Sequence, residues 1–260
     1  MTPTSPSTPP PDDLPADADD RTRQIAEHLV ALRARIDRAA AAADRRDRPE
    51  LVVVTKTFPA EDVVRLARLG VGEVGENKDQ EASAKAAETD ELLGALSEAP
   101  PRPRWHFVGQ LQSNKARSVL NYADVVHSVD RSSLLKALVR AGAERADRPV
   151  DCLIQVDLRR QVPEDARGGA APDRIGAMAE RIAEAEGLRM AGLMAVAPLD
   201  EDPAPAFARL AELSEELRRG HPEAAWISAG MSGDLEAAVA AGATHLRIGR
   251  DVLGHRPEPR

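Results

Sequence analysis

Eight short apolar runs, separated by stretches of helical periodicity, set the tightest limit on what this chain can become. The runs stand at 51–55, 72–75, 105–108, 125–128, 150–156, 188–194, 226–229 and 245–248. Helical patterns fill 78–97, 113–121, 131–145, 172–186, 203–219 and 234–241, and a further helix runs from Pro59 through Val63, Leu66 and Leu69. Short runs that are apolar almost throughout belong to parallel strands covered on both faces, because a half-exposed strand would alternate with polar residues. Eight strands alternating with helices predict an α/β fold, a single (β/α)8 TIM barrel; an open doubly wound sheet is the alternative. Pro203 and Pro205 at a helix start, and Gly220 with Pro222 at its end, punctuate the pattern as that reading requires.

The amino-terminal segment is of a different kind. Residues 1–20 hold six prolines, five aspartates and no basic residue, too little apolar surface to offset the entropy of ordering, and are expected to be a disordered tail. From Arg21 to about Arg46 the positions Ile25, Leu29, Leu32 and Ile36 share one helical face, which predicts an extra helix ahead of the first strand and one domain over 21–260. A net charge of -8 gives no electrostatic footprint for nucleic acid or an anionic membrane, although a local basic pocket is compatible with it. No apolar run reaches membrane-spanning length, and one cysteine, Cys152, leaves no disulfide framework. The expectation is a soluble cytoplasmic protein, a monomer for want of any interface motif.

Candidate chemistry begins at Leu51-Val52-Val53-Val54-Thr55-Lys56. Alternation puts Val52, Val54 and Lys56 on one face, so an inward-facing valine pair carries an amine inward at the strand's carboxyl end. A desolvated lysine is a nucleophilic amine suited to Schiff-base chemistry with an aldehyde; the other reading is a stem that carries its ammonium out to solvent. In a barrel, phosphate is held by the loops after strands 7 and 8. Strand 7 runs into Gly230-Met231-Ser232-Gly233-Asp234 ahead of a helix, and strand 8 into Arg247-Ile248-Gly249-Arg250. A glycine-rich turn onto a helix start favours an anion, and Arg247 and Gly249 share a face. Singly, Ser232 could be an ordinary helix cap and Arg247 a surface residue.

Other patterns lead nowhere. Residues 70–75 spell G-x-G-x-x-G, but they follow a helix and bracket a short strand, the reverse of a dinucleotide turn. Six histidines show no metal-ligand spacing, no Walker A motif occurs, and Ser228 and Ser232 lack a nucleophile elbow. No metal is expected. Asn77 with Gln80 could form a capping box, and Ser113 stands at a helix start, yet both follow strands where a polar side chain could face a ligand. Trp105 on strand 3 reads as core.

Taken together, Val53-Val54-Thr55-Lys56, Gly75-Glu76-Asn77, the run Trp105 to Lys115, Gly192-Leu193-Met194, Gly230-Met231-Ser232-Gly233-Asp234 and Arg247-Ile248-Gly249 resemble the pyridoxal phosphate homeostasis protein family. The likeness covers the chain from about residue 21 onward. It implies a fold-type III barrel, like the amino-terminal domain of alanine racemase, holding pyridoxal 5′-phosphate (PLP) as an internal aldimine on Lys56. It further implies Arg247 as the partner of the pyridine nitrogen, Asn77 near the ring, and Met231, Ser232 and Gly249 on the phosphate side. Two positions depart from the family pattern: Lys78 replaces a common tyrosine, and Arg250 replaces a hydroxyl residue that would serve the phosphate.

A racemase of this barrel type takes its second base, a tyrosine, from a further domain. Here few residues follow strand 8, and the sole tyrosine, Tyr122, falls at the end of a helix. The expected function is PLP buffering or delivery with little or no turnover, PLP-dependent enzymes being the recipients. An amino-acid racemase-like enzyme and a Schiff-base barrel aldolase are the alternatives.

Overall fold

The computed structural model describes residues 14–15, 17–159, 168–198 and 201–254. Eight strands form its centre: β1 (Glu50–Val54), β2 (Glu73–Glu76), β3 (Arg104–Phe107), β4 (Val125–Val129), β5 (Val150–Gln155), β6 (Leu188–Met194), β7 (Trp226–Ser228) and β8 (His245–Ile248). Each pairs in parallel with its sequence neighbour, and β8 pairs with β1 through Val52 opposite Arg247, closing the barrel. Closure removes the open sheet as an alternative, and each strand overlaps the run that predicted it.

Helices α1 (Asp20–Ala42), α2 (Ala60–Arg68), α3 (Asp79–Gly94), α4 (Ala116–Tyr122), α5 (Ser132–Gly142), α6 (Ile175–Ala183), α7 (Pro203–Gly220), α8 (Leu235–Ala240) and α9 (Arg250–Leu253) surround the strands. The extra helix α1 buries Ile25, Leu29, Leu32 and Ile36 and packs against α8 and α9. Arg35 ties α1 to Glu236 of α8 at 2.6 Å and to Asp251 of α9 at 3.1 Å, while Arg21 reaches Asp62 of α2 at 2.7 Å, so α1 bridges the helices that flank β8 and β1. Of the tail expected over residues 1–20, residues 1–13 and 16 lie outside the described residues. Its last residues lie against α1 and α2: Asp19 accepts from the Thr22 N–H at 2.7 Å and pairs with Arg65, and Asp17 pairs with Arg68.

Alternation along the strands sorts the residues into two cores. Leu51, Val53, Val74, Trp105, Phe107, Val126, Cys152, Ile154, Leu246 and Ile248 face outward into the main apolar layer under the helices. Inside the barrel, Val125, Leu153, Ala191 and Met194 make a small separate apolar cluster with Trp226 against it. The interior also holds Val52 and a polar group: His106, His127, Ser228, His245 and Arg247 are all buried.

One buried ion pair lies in the outer layer beside the end of β1. Lys85 of α3 donates to Glu76 at 2.5 Å and to the Thr55 carbonyl at 2.8 Å, and the Thr55 hydroxyl donates to the same Glu76 oxygen at 2.7 Å. Lys85 and Glu76 are 8 % and 0 % exposed. Removing one partner of such a pair strands the other charge, whereas removing both need not destabilise. Lys85→Met is therefore expected to lower the unfolding free energy by about 3–5 kcal/mol in denaturant titration, and Glu76→Met added to it to recover most of the loss.

Candidate functional site

Three strand ends converge at the carboxyl rim of the barrel. β1 stops at Val54, and Thr55 to Thr57 turn sharply, with the Phe58 N–H donating to the Thr55 carbonyl at 3.0 Å and Thr57 at a φ of +69°. A left-handed threonine is strained, and the Glu76 and Lys85 contacts on Thr55 hold the turn that presents Lys56. Lys56 itself is half-buried, beyond the strand end rather than within the strand.

Beyond β8, which separates it from β1, β7 leads through Gly230 to Asp234, whose carboxylate accepts from the Met231 N–H at 2.6 Å and folds the turn back on itself. Gly230 has a φ of +91°, and a Cβ there would lie 2.6 Å from that of Ala238, so only glycine brings α8 this close to the rim. Asp234, not Ser232, precedes α8, which leaves the Ser232 hydroxyl uncommitted to capping. After β8 comes Gly249, where a Cβ would stand 2.9 Å from the Val54 carbonyl oxygen, and then α9, whose first N–H groups have no partner within the helix. A short extra helix after strand 8 is the usual barrel phosphate site; sequence patterning missed α9 because four residues carry no helical period.

Arg247 connects the rim to the interior. It is 6 % exposed, and its guanidinium donates to Ser228 Oγ at 2.6 Å and to the Ala195 carbonyl at 2.9 Å. Among the described residues no carboxylate pairs with it. Burial lowers its pKa to about 10, Asp234 acting the other way, so it stays cationic at neutral pH while still short of an acceptor.

These elements enclose a cavity of about 750 Å³ lined by Val54, Lys56, Phe58, Met231, Ser232, Gly233, Arg247, Gly249, Arg250 and Gly254. Five of the six residues expected at the site thus share one wall, and Arg250 joins them. Asn77 does not line it: it stands beyond β2, half-buried, with its Oδ1 enclosed and without a partner. Nor does Asn77 cap α3, which starts after Lys78 with no side-chain cap. The Asn77 backbone is held at the strand end because Gly109 packs on it, a Cβ at Gly109 falling 2.1 Å from the Asn77 carbonyl oxygen. Phe58 went unmarked in the sequence, although it continues the two-residue alternation of Val52, Val54 and Lys56. The histidines of the interior also went unmarked, because their spacing is meaningful only once the strands are closed into a ring.

The lining fits a ligand with an aldehyde, an anionic group and a ring acceptor. Its titratable side chains, Lys56, Arg247 and Arg250, are all basic, in a chain of net charge -8. A buried guanidinium without a carboxylate partner suits a neutral ring nitrogen, and the Ser232, Gly249 and α9 backbone suits a phosphate.

The described residues contain no helix long and apolar enough to cross a membrane and no cluster of metal-ligating side chains. The alanine racemase N-terminal domain family matches residues 28–257. A pyridoxal phosphate homeostasis protein of Mycobacterium tuberculosis is 41% identical over 247 residues, 91% of this chain and 95% of the relative. One of Pseudomonas aeruginosa is 40% identical over 238 residues, 89% of this chain and 96% of the relative. Among solved structures, PipY of Synechococcus elongatus with PLP bound superposes with a TM-score of 0.73 at 32% identity, over 89% of this chain and 100% of that one.

Burial depresses the pKa of His245 to about 3 and that of His127 well below its ordinary value, their cationic and imidazole neighbours adding to the effect. A histidine that binds its proton only when unfolded costs nothing above the unfolded pKa of about 6.5 and destabilises progressively below it. Between pH 6.5 and the folded value, each contributes a loss of about 1.4 kcal/mol per pH unit. His245→Gln is expected to flatten the fall in unfolding free energy between pH 6 and 4 by about one proton's worth, measured by denaturant titration at several pH values.

Proposed function

The chain belongs to the alanine racemase N-terminal domain family and, within it, to the pyridoxal phosphate homeostasis proteins, and we propose that it holds PLP at the barrel rim and buffers or delivers it with little or no turnover. The observation that carries this reading is the composition of the cavity wall: one lysine amine, a buried arginine at depth, and a glycine-rich anion rim, with no second proton acceptor among the described residues that line it. In its bound state the cofactor supplies an aldehyde that bonds an amine and a ring that can draw electrons from that bond.

The residues divide the work. Lys56 supplies the amine that bonds the aldehyde. Ser232, the Gly249 backbone and the first turn of α9 receive the phosphate, and Arg250 adds a charge-assisted contact in place of a hydroxyl. Arg247, cationic at neutral pH, donates to the ring nitrogen and keeps it from taking a proton, which weakens the ring as an electron sink. Met231, more than a third exposed, lines the cavity beside Ser232, whereas Asn77, which the resemblance put near the ring, stands outside the lining with an amide oxygen that lacks a partner.

A racemase needs bases on both faces of the reacting carbon. Apart from Lys56, the titratable side chains that line the cavity among the described residues are Arg247, cationic at neutral pH, and Arg250, and the sole tyrosine, Tyr122, is buried near Trp105 outside it. That composition favours a binding role over the racemase-like reading; the proposal further takes the protein to act in the cytoplasm, as a monomer, with PLP-dependent enzymes as recipients.

Protein loaded with PLP is expected to be yellow, and borohydride to fix one cofactor on the peptide bearing Lys56, while Lys56→Ala is colourless and unmodified by mass spectrometry. Incubation of loaded protein with single L-amino acids should leave their chirality unchanged; racemisation at about 1 per second or faster would reinstate the enzyme.

A further inference from the structure

The barrel interior holds a continuous chain of hydrogen bonds that ends at Arg247. It starts with Glu73, the first residue of β2 at the amino end of the barrel, 13 % exposed at its side chain. The Glu73 carboxylate meets His106 Nε2; His106 Nδ1 lies 2.7 Å from His127 Nε2; His127 Nδ1 lies 2.9 Å from Ser228 Oγ; and Ser228 Oγ accepts from Arg247. The chain thus passes through β2, β3, β4, β7 and β8 and crosses from one end of the barrel towards the other.

Its direction follows from what each group can do. A carboxylate only accepts, so His106 carries a proton on Nε2, and in a chain directed at Glu73 its Nδ1 is the acceptor. His127 must then carry its proton on Nε2 and accept at Nδ1, which fixes the Ser228 hydroxyl hydrogen towards His127 and turns the Ser228 lone pairs to Arg247. Ser228, His127 and His106 each then donate to the next group towards Glu73, and none of these four residues has a buried side-chain polar atom without a partner. Hydrogen bonds so aligned polarise one another in a low-dielectric interior. Arg104, 3.5 Å from Glu73 and paired with Asp151 at 2.6 Å, holds the far end in place.

We infer that Glu73, His106, His127 and Ser228 are positioning residues for Arg247, a relay that fixes the guanidinium and turns its remaining N–H groups to the ring nitrogen of the cofactor. The inference rests on the PLP-binding reading above. A carboxylate at the opposite end of the barrel thereby sets how Arg247 meets the cofactor without touching it. None of the four lines the cavity.

The directed chain is tested without cofactor or variant by ring ¹⁵N NMR of the histidines in ligand-free protein. His106 and His127 should both be neutral with the proton on Nε2; a proton on Nδ1 of His127 overturns the relay. The functional half uses ¹⁵N-labelled PLP and a double-mutant cycle. Ser228→Ala is expected to raise the dissociation constant about tenfold, and Glu73→Gln about threefold, each with a shift of the pyridine nitrogen resonance. In the Ser228→Ala background, Glu73→Gln should change neither quantity, because the chain is already cut. Additive effects in the double variant would refute the coupling. Failure of wild-type protein to take up PLP contradicts the function proposed above, and the histidine tautomers then decide the relay by themselves.

Discussion

A guanidinium buried inside a parallel barrel is the constraint from which much of this structure follows. Transferring such a charge from water costs several kcal/mol, and here no carboxylate among the described residues compensates it directly. Ser228 and the Ala195 carbonyl are its acceptors, and Ser228 in turn commits His127, His106 and Glu73 to fixed roles across the strands. The interior is consequently divided between a small apolar cluster of Val125, Leu153, Ala191 and Met194 and a polar network, where a barrel optimised for stability would be apolar throughout. The cost is intelligible if Arg247 is there for a ligand that brings an acceptor.

The two faces of the strands serve different ends. Inward positions Val52 and Val54 lead to Lys56, and inward positions His245 and Arg247 lead to Gly249, so two adjacent strands deliver the amine, the cation and the close-packed glycine to one rim. Outward positions supply support. Thr55 and Glu76 face α3, and their bonds with Lys85 hold the strained turn that carries Lys56. Stability and function meet in this outer layer, since the brace for the lysine is itself a buried ion pair. The pocket is basic within an acidic chain because its charges come from strand ends, which bulk composition averages away.

Much of this was legible in the sequence, for reasons particular residues make plain. Apolar runs such as Leu51–Val54 and Val150–Ile154 gave the strands, because buried parallel strands need almost nothing but apolar side chains. Lys56, Ser232, Arg247 and Gly249 stood out as polar or flexible residues where such runs end, and the resemblance to a cofactor-binding family drew them together before any geometry was known. Helix caps were less readable. Asn77 and Ser232 have the chemistry of caps, but the backbone turns at Lys78 and Asp234 instead, under contacts with Gly109 and Met231 that are distant or local details of packing. The relay could not be read at all. Glu73, His106, His127 and Ser228 lie 19 to 101 residues from their partners, and only closure of the barrel makes them neighbours.

The central claim is that one cavity holds the aldehyde, phosphate and ring nitrogen of PLP at once, on Lys56, on the β7 and β8 rim, and on Arg247. A crystal structure of the protein soaked with PLP tests this most directly. The expected result is density continuous with Lys56 Nζ, the phosphate against Ser232, Gly249 and the start of α9, and the ring nitrogen within hydrogen-bonding distance of the Arg247 guanidinium. Density joined to another lysine, or a cofactor whose ring nitrogen faces away from Arg247, would contradict it.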